Sequence, residues 1–123
     1  MRLTQLRSAV VLGGLVLAGC QSLSAISTSY VPLSAAAKYE ARPKDYPIEF
    51  FSAAPSRAYV ELGPVSAAGC STCRSEWVAE KLRLNVREIG GDAVIHLTAF
   101  TAPFGTESAG ALTIQGVAIR WQQ

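Results

Sequence analysis

The fold is decided by the stretch SEWVAEKLRLNVREIGGDAVIHL, residues 75–97. Its apolar side chains recur at i, i+4, i+8 and i+11, the spacing of one helical stripe: Val78, Leu82, Val86 and Ile89. Gly90 and Gly91 follow directly, and glycine provides the left-handed backbone at which helices commonly end. The stretch therefore predicts a helix over residues 75–89, then a turn and the start of a strand.

The segment after the glycines alternates as a β-strand does, over residues 93–101. If the alternation holds throughout, one set of side chains shares one face: Ala93, Ile95, Leu97 and Ala99. The other set then shares the opposite face: Val94, His96, Thr98 and Phe100. Residues 102–110 contain proline and glycine and predict a hairpin loop, so residues 111–121 are expected to return as an antiparallel strand.

Two further apolar segments precede the helix. Residues 47–51 predict a short strand, and residues 59–65 alternate and predict a longer one that ends near Pro64. The order strand, strand, helix, strand, strand predicts a single small α+β domain over residues 46–123. Its one helix is expected to pack on one face of a mainly antiparallel sheet.

The first twenty residues, MRLTQLRSAVVLGGLVLAGC, combine a basic start with a short apolar run. A membrane-spanning helix needs about 20 apolar residues, so residues 1–19 predict a cleaved signal peptide instead. The ending Leu17-Ala18-Gly19-Cys20 resembles the lipobox of bacterial lipoproteins. The resemblance implies that Cys20 carries a diacylglycerol and a further acyl chain such as palmitate. Because Gln21 rather than Asp follows Cys20, it also implies the periplasmic face of the outer membrane in a Gram-negative cell.

Residues 20–45 are rich in serine and alanine and show no sustained apolar periodicity. This composition predicts a flexible tether between the lipid and the domain. A coil of ~25 residues has a typical span of about 25–30 Å.

Charge and residue content exclude nucleic-acid binding and argue against catalysis by a serine-histidine-aspartate set. Loss of Arg2 and Arg7 with the signal peptide leaves nine basic residues against nine acidic ones, so the net charge falls from +2 to zero. A chain without a basic cluster lacks the electrostatic footprint of nucleic-acid binding. No Ser/His/Asp set is visible around the sole histidine, His96, and we expect no catalytic residues and no cofactor.

Cys70 and Cys73 remain as an even pair in an oxidising compartment once Cys20 is lipidated. Residues three apart in a turn can be bridged, which favours a structural disulfide. A redox-active pair is an alternative, because a thiolate at a helix start is stabilised by the helix dipole. A metal site is a second alternative, although a closed zinc site needs about four ligands and His96 is the only histidine. We therefore expect no metal ligands.

Four segments resemble the RcsF-type envelope lipoproteins and, more distantly, the YbjQ-type domains. The first is a strand that ends in L-G-x-V-S, at Leu62–Ser66, and the second is a helix rich in small and apolar residues, at Ala79–Gly91. The third is a D-A-V entry into the next strand, at Asp92–Leu97, and the fourth is a last strand that alternates apolar and basic residues, at Val117–Trp121. The resemblance implies an α+β fold and a role in envelope interaction or stress sensing. RcsF-type sensors carry four domain cysteines in two long-range disulfides, whereas this domain has two cysteines.

A sheet with one helix leaves its second face uncovered, and an exposed apolar patch often marks a partner surface. The expected partner face consists of Val94, His96, Thr98, Phe100 and Trp121. The sequence thus predicts a non-catalytic lipoprotein that contacts the membrane through its lipid anchor and an envelope protein through this face.

Overall fold

The computed structural model describes residues 25–33, 38–103, 105 and 109–123. The expected signal peptide and the expected lipidation at Cys20 lie outside these residues. The described chain forms one helix and five strands: β1 Ser27–Tyr30, β2 Glu49–Phe50, β3 Tyr59–Ala68, α1 Ser75–Glu88, β4 Ala93–Thr101 and β5 Leu112–Trp121. Within those residues, no helix is long and apolar enough to cross a membrane.

The five strands form one sheet in the order β1-β3-β5-β4-β2. All neighbours are antiparallel except β2 and β4, which run parallel. The helix packs on one face of this sheet and buries Val78, Leu82 and Val86 completely. The predicted α+β class is confirmed, and the helix ends one residue earlier than its apolar stripe suggested.

The N-terminal segment differs from the flexible tether predicted for residues 20–45. Ser27–Tyr30 pairs with β3, with Ser27 opposite Ala68 and Tyr30 opposite Val65. Ile26, just before the strand, is 3% exposed and belongs to the core under the helix. The physical reason is that β3 offers an open edge whose N–H and C=O groups need partners. A serine-rich segment can provide those partners without any apolar alternation of its own.

A β-bulge at His96 changes which residues of β4 share a face. Ile95 pairs with Val117, and the next regular pair joins Thr98 to Gln115, so β4 has two residues where β5 has one. His96 takes the left-handed backbone conformation, with φ of 54°. Because side chains alternate along a strand, one extra residue exchanges the faces of everything that follows it.

The bulge overturns the expected placement of Val94. Val94 lies before the bulge and is fully buried in the helix-side core. Thr98 and Phe100 lie after it and face the other way, beside Gln115 and Thr113. The strictly alternating strand predicted for residues 93–101 is therefore wrong beyond Ile95.

The second face of the sheet, which we call the reverse face, is covered over only part of its length. A small cluster of Ala93, Ile95 and Ile119 is fully buried there. It is covered by Phe51, Tyr59 and Trp121. The Phe51 and Trp121 rings meet edge to face at 6.0 Å, and the Arg57 guanidinium lies 4.7 Å from the centre of the Trp121 ring. Within the part of the chain that the structure describes, no such aromatic cover extends over the far part of the reverse face.

Candidate functional site

The uncovered part of the reverse face forms a groove of about 440 Å³. We call it the open groove. Strands β1, β3, β5 and the bulged part of β4 supply its walls, and its polar side chains are Ser29, Ser66, His96, Thr98 and Gln115. Val31, Pro64 and Val117 add apolar surface.

Apart from His96, none of the described residues that line the open groove has an ionisable side chain. Its polar groups are hydroxyls, an amide and an imidazole, which both donate and accept hydrogen bonds. On the groove floor, the hydroxyls of Ser29 and Ser66 share a 2.7 Å hydrogen bond across the β1–β3 pair. The groove is therefore suited to neutral, hydrogen-bonding contact.

Two exposed apolar side chains lie on the reverse face, one at the wall of the open groove and one beyond it. Val31 is 62% exposed at its wall, and Phe100 is 53% exposed farther along the same face. Depletion of charged residues, as in the lining of the open groove, is also found at the cores of protein interfaces.

The five residues of the expected partner face do not form one surface. His96 and Thr98 line the open groove. Phe100 lies beyond it, Trp121 belongs to the covered part of the reverse face, and Val94 is buried on the helix side. Sequence reasoning missed Ser29, Ser66 and the other groove residues from β1 and β3, because nothing local to residues 27–30 signals that they add a strand to the sheet.

Cys70 and Cys73 form a disulfide with a Cα–Cα distance of 5.0 Å. The Cys73 amide donates to the Cys70 carbonyl at 3.1 Å, which closes a tight turn. Just before it, the Gly69 amide donates to the Leu112 carbonyl at 2.8 Å, and a Cβ on Gly69 would collide with the Val78 side chain. The disulfide therefore holds the connection between the end of β3 and the start of α1.

The described residues contain no group of three or more His, Cys, Asp and Glu side chains that could hold a metal ion. The two cysteine sulfurs are bonded to each other, and Cys73 packs against the helix-side core. His96 lies in the open groove on the reverse face. The sheet therefore separates the sole histidine from the cysteine pair.

A buried polar cluster lies at the opposite end of the domain, around Asp92. This carboxylate is 4% exposed, and its Oδ1 atom lies 2.8 Å from Arg42 and accepts a 2.7 Å hydrogen bond from the Tyr46 hydroxyl. Its Oδ2 atom accepts from the Trp121 amide at 2.9 Å. The bond to Asp92, together with burial, raises the pKa of Tyr46 above its usual value. The phenol therefore stays protonated and remains a donor.

Arg87 connects the segment that contains Arg42 and Tyr46 to the helix. Its Nε donates to the Tyr46 carbonyl at 2.7 Å, and its carbonyl accepts from the Arg42 amide at the same distance. Its guanidinium also pairs with Glu80 at 2.9 Å. Gly90 makes room for this packing, because a Cβ there would meet the Tyr39–Glu40 backbone and the Tyr39 side chain. Residues 39–46 are thus fastened to the domain as well.

The disulfide gives a testable stability effect. Replacing both Cys70 and Cys73 by serine, in a Cys20→Ala background without a third thiol, should lower the free energy of unfolding by about 2 kcal/mol, because the bond closes a four-residue loop in the unfolded chain. Urea unfolding with and without reductant measures it. Reductant should lower the stability of the Cys20→Ala protein by a similar amount and leave the double variant unchanged. Equal stability of the two proteins without reductant would contradict a structural role.

Comparison with known proteins adds the fold of one solved structure. No family model matches the chain, and no curated protein matches it. A crystal structure of the Francisella virulence factor FvfA superposes with a TM-score of 0.57 at 8% sequence identity, covering 76% of this chain and 96% of that one. At this level of identity the likeness concerns the fold alone. The chain shares its architecture with the Francisella protein.

Proposed function

We propose that this protein is a lipid-anchored envelope protein whose non-catalytic α+β domain binds another envelope protein through the open groove. The lipobox-like ending at Cys20 supports the anchor. The resemblance to RcsF-type lipoproteins supports a role in envelope interaction or stress sensing. In this proposal the Cys70–Cys73 bond serves the fold and not catalysis.

The observation that carries the proposal is the uneven cover of the reverse face. Aromatic side chains and Arg57 shield the cluster around Ile95 and Ile119. None of the described residues covers the open groove in this way, although Val31 beside it is largely exposed. When a partner covers an exposed apolar side chain, the removal of its surface from water makes the free energy of binding more favourable. An exposed apolar surface beside uncharged groups therefore often marks a binding site.

Site-specific photocrosslinking tests the proposal in cells that make the full chain. A photoreactive residue at Thr98 or at Gln115 should capture one discrete protein, because both side chains line the open groove. The matched control is Glu88, which is exposed at the end of α1. A second variant, Gln115→Arg, should abolish capture from Thr98 while leaving the free energy of unfolding within about 0.5 kcal/mol. No capture at both groove positions, or the same captured protein at Glu88, would refute the proposal.

A further inference from the structure

We infer that the folded domain is held end-on against the bilayer, with the end of the sheet at which β1 begins facing the lipid headgroups. We call this end the anchored end. The inference rests on the proposed lipidation of Cys20 and goes beyond it, because a lipid anchor alone does not orient a domain. Its partner is the lipid surface, whereas the open groove is proposed to bind protein.

The first step is the reach of the chain. Cys20 and Ile26 are six residues apart, and Ile26 is already part of the core. Six residues span at most about 20 Å when fully extended. The headgroup layer on each side of a bilayer takes up roughly 5–7 Å of that reach. The domain is therefore confined close to the surface, whatever conformation the intervening residues adopt.

The second step identifies the end of the sheet from which the chain runs to the lipid anchor. β1 runs antiparallel to β3, so Ser27 at its start lies opposite Ala68 at the end of β3. The same row of the sheet continues through Thr113 of β5 to Phe100 of β4. The disulfide turn, residues 70–73, follows Ala68 directly. The anchored end thus consists of the start of β1, the disulfide turn, the end of β4 at Thr101 and the start of β5 at Leu112.

The third step is the distribution of charge. The segments that build the anchored end carry no Asp, Glu, Lys or Arg among their described residues: 25–33, 62–73, 93–103, 105 and 109–119. Arg74 and Glu76 at the start of α1 form an exposed pair with each other at 3.5 Å, and Glu107 of the hairpin loop lies outside the described residues. The opposite end carries Arg42, Arg57, Arg87, Asp92 and Arg120.

The fourth step is the chemistry of the exposed side chains at the anchored end. Phe100 is 53% exposed there, and Ser71, Thr72 and Thr101 are exposed and neutral. Phenylalanine rings are among the side chains that peripheral proteins bury at the boundary between headgroups and acyl chains, and uncharged groups avoid the large desolvation penalty that a charge pays near lipid. The short tether, the uncharged described strand residues at this end and the exposed Phe100 ring therefore favour the same orientation.

Depth-dependent quenching tests the orientation with the full lipidated chain in phosphatidylcholine vesicles. A fluorescent amino acid replaces Thr101 at the anchored end or Gln122 at the opposite end, and nitroxide-labelled headgroups act as the quencher. We expect quenching at position 101 to exceed that at position 122 several-fold. Phe100→Ser should reduce the quenching at 101, since it removes the aromatic contact.

A spacer variant provides the matched control. A Gly/Ser insert of about 15 residues between Gln21 and Ser22 keeps the anchor and lengthens its reach by several tens of ångströms. Quenching at position 101 should then fall towards the value at 122. Similar quenching at both positions in the parent chain would overturn the end-on orientation, and an unchanged difference in the spacer variant would overturn the role of the short tether in it.

The anchor and the orientation are read out separately. Mass spectrometry and vesicle flotation report whether Cys20 is lipidated and whether Cys20→Ala releases the protein. An unlipidated Cys20, or flotation of the Cys20→Ala chain, would refute the proposed anchor and the orientation with it. A lipidated, floating chain that shows no difference between positions 101 and 122 would refute the orientation alone.

Discussion

We expect Asp92→Ala to lower the free energy of unfolding by about 3 kcal/mol. The substitution removes the acceptor for three groups at once: the Arg42 guanidinium, the Tyr46 hydroxyl and the Trp121 amide. Breaking a buried ion pair by removing one partner typically costs 3–5 kcal/mol, because the remaining charge stays desolvated. The Arg42 side chain is 25% exposed, so water reaches it in part and the lower end of that range applies.

Thermal and urea unfolding measure this loss. A domain of this size loses about 4–8 °C in Tm per kcal/mol, so Tm should fall by about 12 °C or more. Asp45→Asn is the matched control, since Asp45 is exposed in the same N-terminal segment, and it should shift the stability by less than about 0.5 kcal/mol. Equal effects of the two substitutions would show that Asp92 does not hold the segment in place.

We expect Ile26→Ala to lower the free energy of unfolding by about 2–4 kcal/mol. Ile26 is 3% exposed and packs in the same core as α1, so truncation leaves a cavity and loses buried apolar area. Val31→Ala, at the other end of the same segment, removes fewer atoms from a side chain that is 62% exposed. It should change stability by less than about 0.5 kcal/mol.

This pair of variants decides between a tether and a structural segment. Urea unfolding of the full chain measures both, and amide hydrogen exchange shows whether residues 27–30 are protected as one unit with β3. A flexible tether predicts that neither variant changes the stability and that these amides exchange freely. Such a result would contradict the pairing of β1 with β3.

Gly63 explains why residues 25–33 can lie so close to β3. Its φ is +151°, a conformation that side chains rarely adopt, and a Cβ there would overlap the Val31 carbonyl. The sequence shows a glycine in a strand, which indicates a bulge or a close approach, but it does not say which segment approaches. The partner of Gly63 is some thirty residues away, so it could be identified only from the folded chain.

Residue patterns alone determined the helix, its glycine stop, the three long strands and the α+β class, because helical periodicity and turn chemistry act between near neighbours. They also placed Cys70 and Cys73 within bonding distance, since three residues of a turn fix that geometry. The folded chain alone shows that Ser27–Tyr30 joins the sheet, that His96 reverses the faces of β4, and that Asp92 holds Arg42 and Tyr46. Each of these depends on groups far apart in the chain. These pairings lower the free energy only once the sheet has formed. Only then is there an open strand edge to pair with, a strand register to shift, or a buried carboxylate that needs partners.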